Sequence, residues 1–92
     1  MTSILTRDVE ITNKRGLHAR ASAKFCAVAG SFEATIRVRR EGVEVGGCSI
    51  MGLMMLGAGI GSSIRITAQG PQAAEALDML VRLVEERFGE GE

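Results

Sequence analysis

A chain of 92 residues is long enough for one domain with a modest core and too short for two. Hydrophobic residues make up 46% of it and proline occurs once, the balance of a folded globular protein rather than a disordered one. Eleven basic residues offset 11 acidic ones, and aromatics are scarce, with three Phe and no Trp or Tyr, so the sequence has neither the positive charge nor the supply of aromatic faces that nucleic-acid binding calls for.

The first segment, around Leu5, Val9 and Ile11, interleaves apolar residues with Asp8, Glu10 and Thr12, the period of a strand with one buried face. Residues 19–30 are rich in alanine and predict a helix that stops near Gly30. Phe32, Ala34, Ile36 and Val38 then alternate with Glu33, Thr35, Arg37 and Arg39, and Val43 and Val45 flank Glu44. The link RREG at residues 39–42 is short enough to make these two strands a hairpin. Arg37, Arg39 and Arg40 are read as a solvated strand face.

Ser49 is a good N-cap for a short helix ending near Gly57. That helix is apolar nearly all round, which on pattern alone favours burial on most sides; the alternative is an exposed, methionine-rich docking surface. Ile64, Ile66 and Ala68 alternate with Arg65 and Thr67 in a fourth strand. After Gly70-Pro71, with the proline suited to a first helical turn, Ala73, Leu77, Leu80, Val81, Val84 and Phe88 recur at helical spacing up to Gly89. The order is βαββαβα. One-sided strands and separate helices predict an α+β, open-faced two-layer sandwich, with a four-stranded antiparallel sheet covered on one face by three helices, in a single domain over residues 1–92.

No stretch has the length of a bilayer-spanning segment or the make-up of an export signal, so a cytoplasmic protein is expected. Cys26 and Cys48 are read as reduced, buried thiols, and with the single histidine they fall short of a structural zinc site. No metal or other cofactor is expected. The loop GAGIGSS, residues 57–63, lacks the spacing of a dinucleotide or P-loop motif and is read as a flexible connection. No set of residues at the spacing of a catalytic triad or carboxylate pair is discernible.

The stretch GLHARASAKF, residues 16–25, carries the only histidine, His18, at the predicted start of a helix. There the free N–H groups of Ala19 and Arg20 and the positive end of the helix dipole make an anion site, to which the Arg20 guanidinium adds charge. A neutral imidazole at such a place is a competent nucleophile for a phosphoryl group. A histidine that merely caps the helix or lies on the surface accounts for the same residues, and local chemistry alone leaves the two readings open. Ser49 is open in the same way: a cap, or a phosphorylation target where added charge changes docking more than folding.

These residues also carry a family resemblance. GLHARASAKF resembles the active-site segment of the HPr phosphocarriers of the bacterial phosphotransferase system, and CSIMGLMMLGAG, residues 48–59, resembles their second signature, around a regulatory serine. VEITNKRGLHARA and GPQAAEAL look closest to the nitrogen-branch members, the NPr type. The resemblance implies a covalent carrier rather than an enzyme: His18 phosphorylated on Nδ1 by Enzyme I, Arg20 holding the phosphate, and a IIA-type protein receiving it. It implies docking through Ala19, Ile50, Met51 and Met54, modification of Ser49 by the HPr kinase/phosphorylase where present, and action as a monomer. One departure stands out, Ala21 where the family usually has proline. Alanine restores an N–H and leaves helix geometry intact. The competing expectation is a binding module acting through Ser49 without any phosphoryl relay.

Overall fold

The computed structural model describes residues 3–90. Four strands, β1 (Leu5–Glu10), β2 (Thr35–Arg40), β3 (Val43–Gly46) and β4 (Ser63–Gln69), alternate with helices α1 (Ala19–Gly30), α2 (Ile50–Met55) and α3 (Ala73–Glu85). All pairings are antiparallel and the sheet order is β1-β4-β2-β3. The chain therefore places its last strand between its first two.

Register explains the one-sided pattern. Val9 lies opposite Ile64, Val38 opposite Ile66 and Ile36 opposite Ala68, all buried apolar pairs on the inner face, while Arg7, opposite Ile66 on the same side, is exposed and pairs with Asp78 of α3. The other face carries Asp8, Arg37, Glu44 and Arg65, with Arg65 Nε 2.8 Å from Asp8 Oδ1 and Arg37 Nε 2.7 Å from Glu44 Oε2. A one-residue slip would exchange the two faces, which pins the pairing. The inner face is covered by Phe25, Ala21 and Ala29 of α1, Leu53 of α2, and Ala76, Leu77, Leu80 and Val84 of α3. Phe25 is fully buried, a transfer contribution of about 2–3 kcal/mol.

Several expectations need correction. Leu5 keeps the inward phase of β1 but is 36% exposed, and Val43 is 52% exposed, because both lie at the ends of edge strands, each with a neighbouring strand on one side only. Pro71 lies in the turn before α3, whose N-cap is Gln72. Phe88 is not on α3. The helix stops at Glu85, and Arg87 and Phe88 take left-handed φ values of 57° and 54° in a 3-10 turn, Arg87–Gly89. Burying the Phe88 ring offsets that backbone cost of about 1–2 kcal/mol per residue.

Arg40 is not simply solvated: it is half-buried and its Nη1 donates to Leu56 O at 3.0 Å, at the carbonyl end of α2. The connection after α2 is hydrogen-bonded on two sides, Gly61 N–H donating to Ile11 O at 2.8 Å and Ala58 O accepting from Leu17 N–H at 2.9 Å. Nor are the cysteines fully buried. Cys26 is half-buried and Cys48 exposed, and the two thiols are neighbours. Burial, with Cys48 beside it, raises the Cys26 thiol above its ordinary value. Among the described residues no helix is long and apolar enough to cross a membrane.

Candidate functional site

The loop from β1 to α1 is shaped by a turn closed twice. Asn13 O accepts from Gly16 N–H at 3.2 Å, and Asn13 Nδ2 donates to Gly16 O at 2.8 Å. Gly16 has φ 64° and lies against Ala58, with a would-be Cβ only 2.4 Å from Ala58 O, so no other residue fits without moving backbone. Leu17 is then buried and pinned to Ala58 O, which delivers His18 to the N-cap of α1.

His18 is extended (φ −74°, ψ −179°), and its carbonyl accepts the first intrahelical bond, from Ser22 N–H at 2.9 Å. Its ring makes no capping hydrogen bond. The first-turn N–H groups of Ala19, Arg20 and Ala21 consequently have no acceptor within the helix. Ala21 is fully buried beneath a regular first turn, so the replacement of the family's usual proline leaves the helix start intact.

The ring is held from the far end of the chain. The left-handed turn at Arg87 and Phe88 directs Glu90 back onto α1, where Glu90 Oε2 meets His18 Nε2. Asn13 Nδ2 donates to Glu90 Oε1 at 3.1 Å, and Lys24 Nζ donates to Phe88 O at 2.7 Å, fixing the turn. The side chains of His18 and Glu90 are 19% and 12% exposed. The hydrogen bond from His18 holds the Glu90 carboxyl below its usual range against the opposing effect of desolvation, helped by the Asn13 hydrogen bond and the charges of His18 and Arg15. A deprotonated carboxylate only accepts, so in the neutral imidazole the proton resides on Nε2 and the lone pair on Nδ1.

Arg15, Arg20, Lys24, Gly89 and Glu90 line a cleft of about 310 Å³ around His18. Among the described residues, three cations against one carboxylate give it the charge to receive an anion. Of the residues singled out from the sequence, His18 and Arg20 line this cleft, with Ala19 exposed between them. Asn13 and Glu90 were not foreseen; NKRG was readable as a turn, but nothing local ties residue 90 to residue 18.

Ser49 caps α2, its Oγ accepting from Gly52 N–H at 3.0 Å. Burial of α2 on most sides, favoured by its pattern, does not hold. Leu53 and Leu56 are buried, but Ile50, Met51, Met54 and Met55 are 42%, 72%, 43% and 76% exposed, because a short helix on one edge of the molecule has only one covered side. Its end adjoins the His18 loop through Ala58, while Cys48 at its start lies by Gly30. Ser49 is therefore set toward the other end of α1, a 12-residue helix about 18 Å long. Ala19 is exposed at the His18 end.

A histidine at a helix N-terminus in a cationic cleft, next to an exposed apolar helix on an open-faced sandwich, is the arrangement of a small protein that carries an anionic group between partners. The sequence profile described as "PTS HPr component phosphorylation site" matches residues 5–86. The phosphocarrier protein HPr of Cupriavidus necator is 52% identical over 97% of this chain and 100% of its own length. The phosphocarrier protein NPr of Shewanella violacea is 40% identical over 94% of each. The crystal structure of HPr-C-His from Thermoanaerobacter tengcongensis superposes with a TM-score of 0.90 at 41% identity, covering 94% of this chain and 97% of that one. The chain belongs to the HPr family of phosphocarrier proteins of the phosphotransferase system. It is a carrier, not an enzyme.

Proposed function

We propose that His18 Nδ1 accepts a phosphoryl group from the phosphohistidine of Enzyme I and passes it to a IIA-type protein. The observation that carries this reading is the occupied Nε2: with Glu90 on that nitrogen, Nδ1 is the ring atom with a lone pair to offer, beside the N-terminus of α1. In the transfer the Nδ1–P bond forms as the donor's N–P bond breaks and its electron pair returns to the donor ring. The phosphoryl oxygens are met by the N–H groups of Ala19 and Arg20 and by the Arg20 guanidinium. Positioning and charge do the work, and the partner completes the site.

Ala19, Ile50, Met51 and Met54 form the docking surface, on which flexible exposed methionines adapt to more than one partner. Ser49 is the site for an HPr kinase/phosphorylase. Its position away from His18 makes added phosphate a block to docking rather than to the ring itself. The resemblance of VEITNKRGLHARA and GPQAAEAL to the nitrogen-branch members supports a regulatory phosphotransferase system, and a cytoplasmic, monomeric carrier belongs to the same proposal.

Intact mass after incubation with phosphoenolpyruvate and the cognate Enzyme I tests this. An acid-labile phosphoryl adduct is expected on the wild type and not on His18→Ala. No adduct on the wild type, with Enzyme I active on another carrier, would overturn the relay in favour of a binding module acting through Ser49.

A further inference from the structure

The geometry points to Glu90 as a positioning residue for phosphoryl transfer: its carboxylate, aimed by Asn13, locks the His18 proton on Nε2 and keeps the ring protonated there while Nδ1 carries the phosphoryl group. This rests on the reading of His18 as the phosphoryl acceptor.

The contact is built rather than incidental. Glu90 reaches His18 only because Arg87 and Phe88 adopt left-handed conformations, and that reversal is anchored by the buried Phe88 ring and by Lys24 on its carbonyl. The second carboxylate oxygen is held by Asn13, a fully buried side chain that also closes the turn before His18. One amide therefore sets both the path of the loop that presents the histidine and the direction of the group that orients its ring.

Two consequences follow for the chemistry. Before transfer, an acceptor-only carboxylate on Nε2 selects the tautomer whose lone pair is on Nδ1. During transfer the Nδ1 lone pair becomes the N–P bond, so the ring gains positive charge, while its Nε2 proton stays where it is. The product is a phosphoimidazolium whose charge is balanced by Glu90. That protonated ring is the better leaving group when the N–P bond breaks toward the next acceptor, and loss of the Nε2 proton would make it a poor one. The charged groups facing the ring are Arg15 on the loop, Arg20 and Lys24 on α1, and Glu90. Among the described residues Glu90 is the one carboxylate lining the cleft, set against three cations.

The test compares the wild type with Glu90→Gln and Glu90→Ala, each checked for unchanged unfolding. Ring 15N NMR of unphosphorylated protein reads the tautomer, pH titration of the phosphorylated form reads the Nε2 proton, and transfer from Enzyme I gives the rate. In the wild type a single tautomer with the proton on Nε2 is expected, with both ring nitrogens sharing it in Glu90→Ala. Glu90→Gln retains the tautomer, because an amide oxygen still accepts, but lacks the charge. In both variants the phosphorylated ring should lose its proton at lower pH than in the wild type, and transfer should slow by about ten- to a hundredfold, the scale of one charge-assisted hydrogen bond. A tautomer, titration and rate all within twofold of the wild type in Glu90→Ala would overturn the proposal. If the wild type takes no phosphoryl group, the relay itself fails, and the tautomer in the unphosphorylated protein still decides whether Glu90 sets the ring.

Discussion

Gly16→Ala is the sharpest probe of how this fold presents its histidine. At φ 64° an alanine carries a left-handed backbone cost of about 1–2 kcal/mol. Its Cβ would also lie 2.4 Å from Ala58 O and 2.8 Å from Gly59 Cα, both backbone atoms with no rotamer to change. Relief requires the loop after α2 to move, which weakens the Leu17 N–H to Ala58 O bond and adds about 1–3 kcal/mol. The expected loss is about 2–5 kcal/mol, a large share of the roughly 5–14 kcal/mol available to a domain of 92 residues. Gly57→Ala provides the comparison: φ is 63° there, but nothing lies within 4 Å of its Cβ, so about 1–2 kcal/mol is expected. Urea unfolding of the two variants, with an unchanged m-value, isolates the cost of the contact. Equal losses within about 0.5 kcal/mol would refute the idea that Ala58 is a rigid wall behind the histidine.

Other substitutions separate core from docking surface and charge from burial. Leu53→Ala should cost about 2–5 kcal/mol in urea unfolding, because its side chain is fully buried, whereas Met51→Ala should change stability by less than about 0.5 kcal/mol while weakening Enzyme I binding in titration calorimetry. Arg65 holds the Asp8 carboxyl below its usual range chiefly by a hydrogen bond; Arg65→Gln should raise the Asp8 midpoint in a carbon-detected NMR titration. Glu90 is likewise depressed in the folded state, so its contribution is complete above the ordinary carboxylate range and is lost as pH falls through the depressed value; stability should decline as the pH is taken below the ordinary carboxylate range, and less steeply in Glu90→Gln. Iodoacetamide at pH 8 should label exposed Cys48 before Cys26, whose raised thiol and partial burial both slow it, as peptide mass mapping would read.

Local pattern was enough wherever one element's own residues decide its state. The alternation of Ile64, Ile66 and Ala68 located β4, the alanine-rich run located α1 to its last residue, and Ser49 marked the start of α2. It failed where a distant neighbour decides. Val43 has a strand's alternation, but only the position of β3 at the sheet edge leaves it exposed. Phe88 continues the helical spacing of α3, yet the ring is buried by leaving the helix rather than extending it. The candidate site divides the same way: His18, Ala19 and Arg20 are neighbours in sequence and could be read together, whereas Glu90 joins them only through a reversal that no local propensity favours.

The sheet order has a consequence for how the chain is made. β1 pairs only with β4, from Leu5 against Ala68 to Glu10 against Ser63, so the first of the four strands waits for the last. The β2–β3 hairpin and α1 can form as they leave the ribosome, but the seat of the histidine, which leans on Ala58 and Glu90, cannot. Such long-range closure slows folding and places the commitment step after β4 and residue 90 have been made. A nascent chain stalled before residue 63 holds a hairpin and a helix with their apolar faces uncovered, the form of this protein most in need of a chaperone.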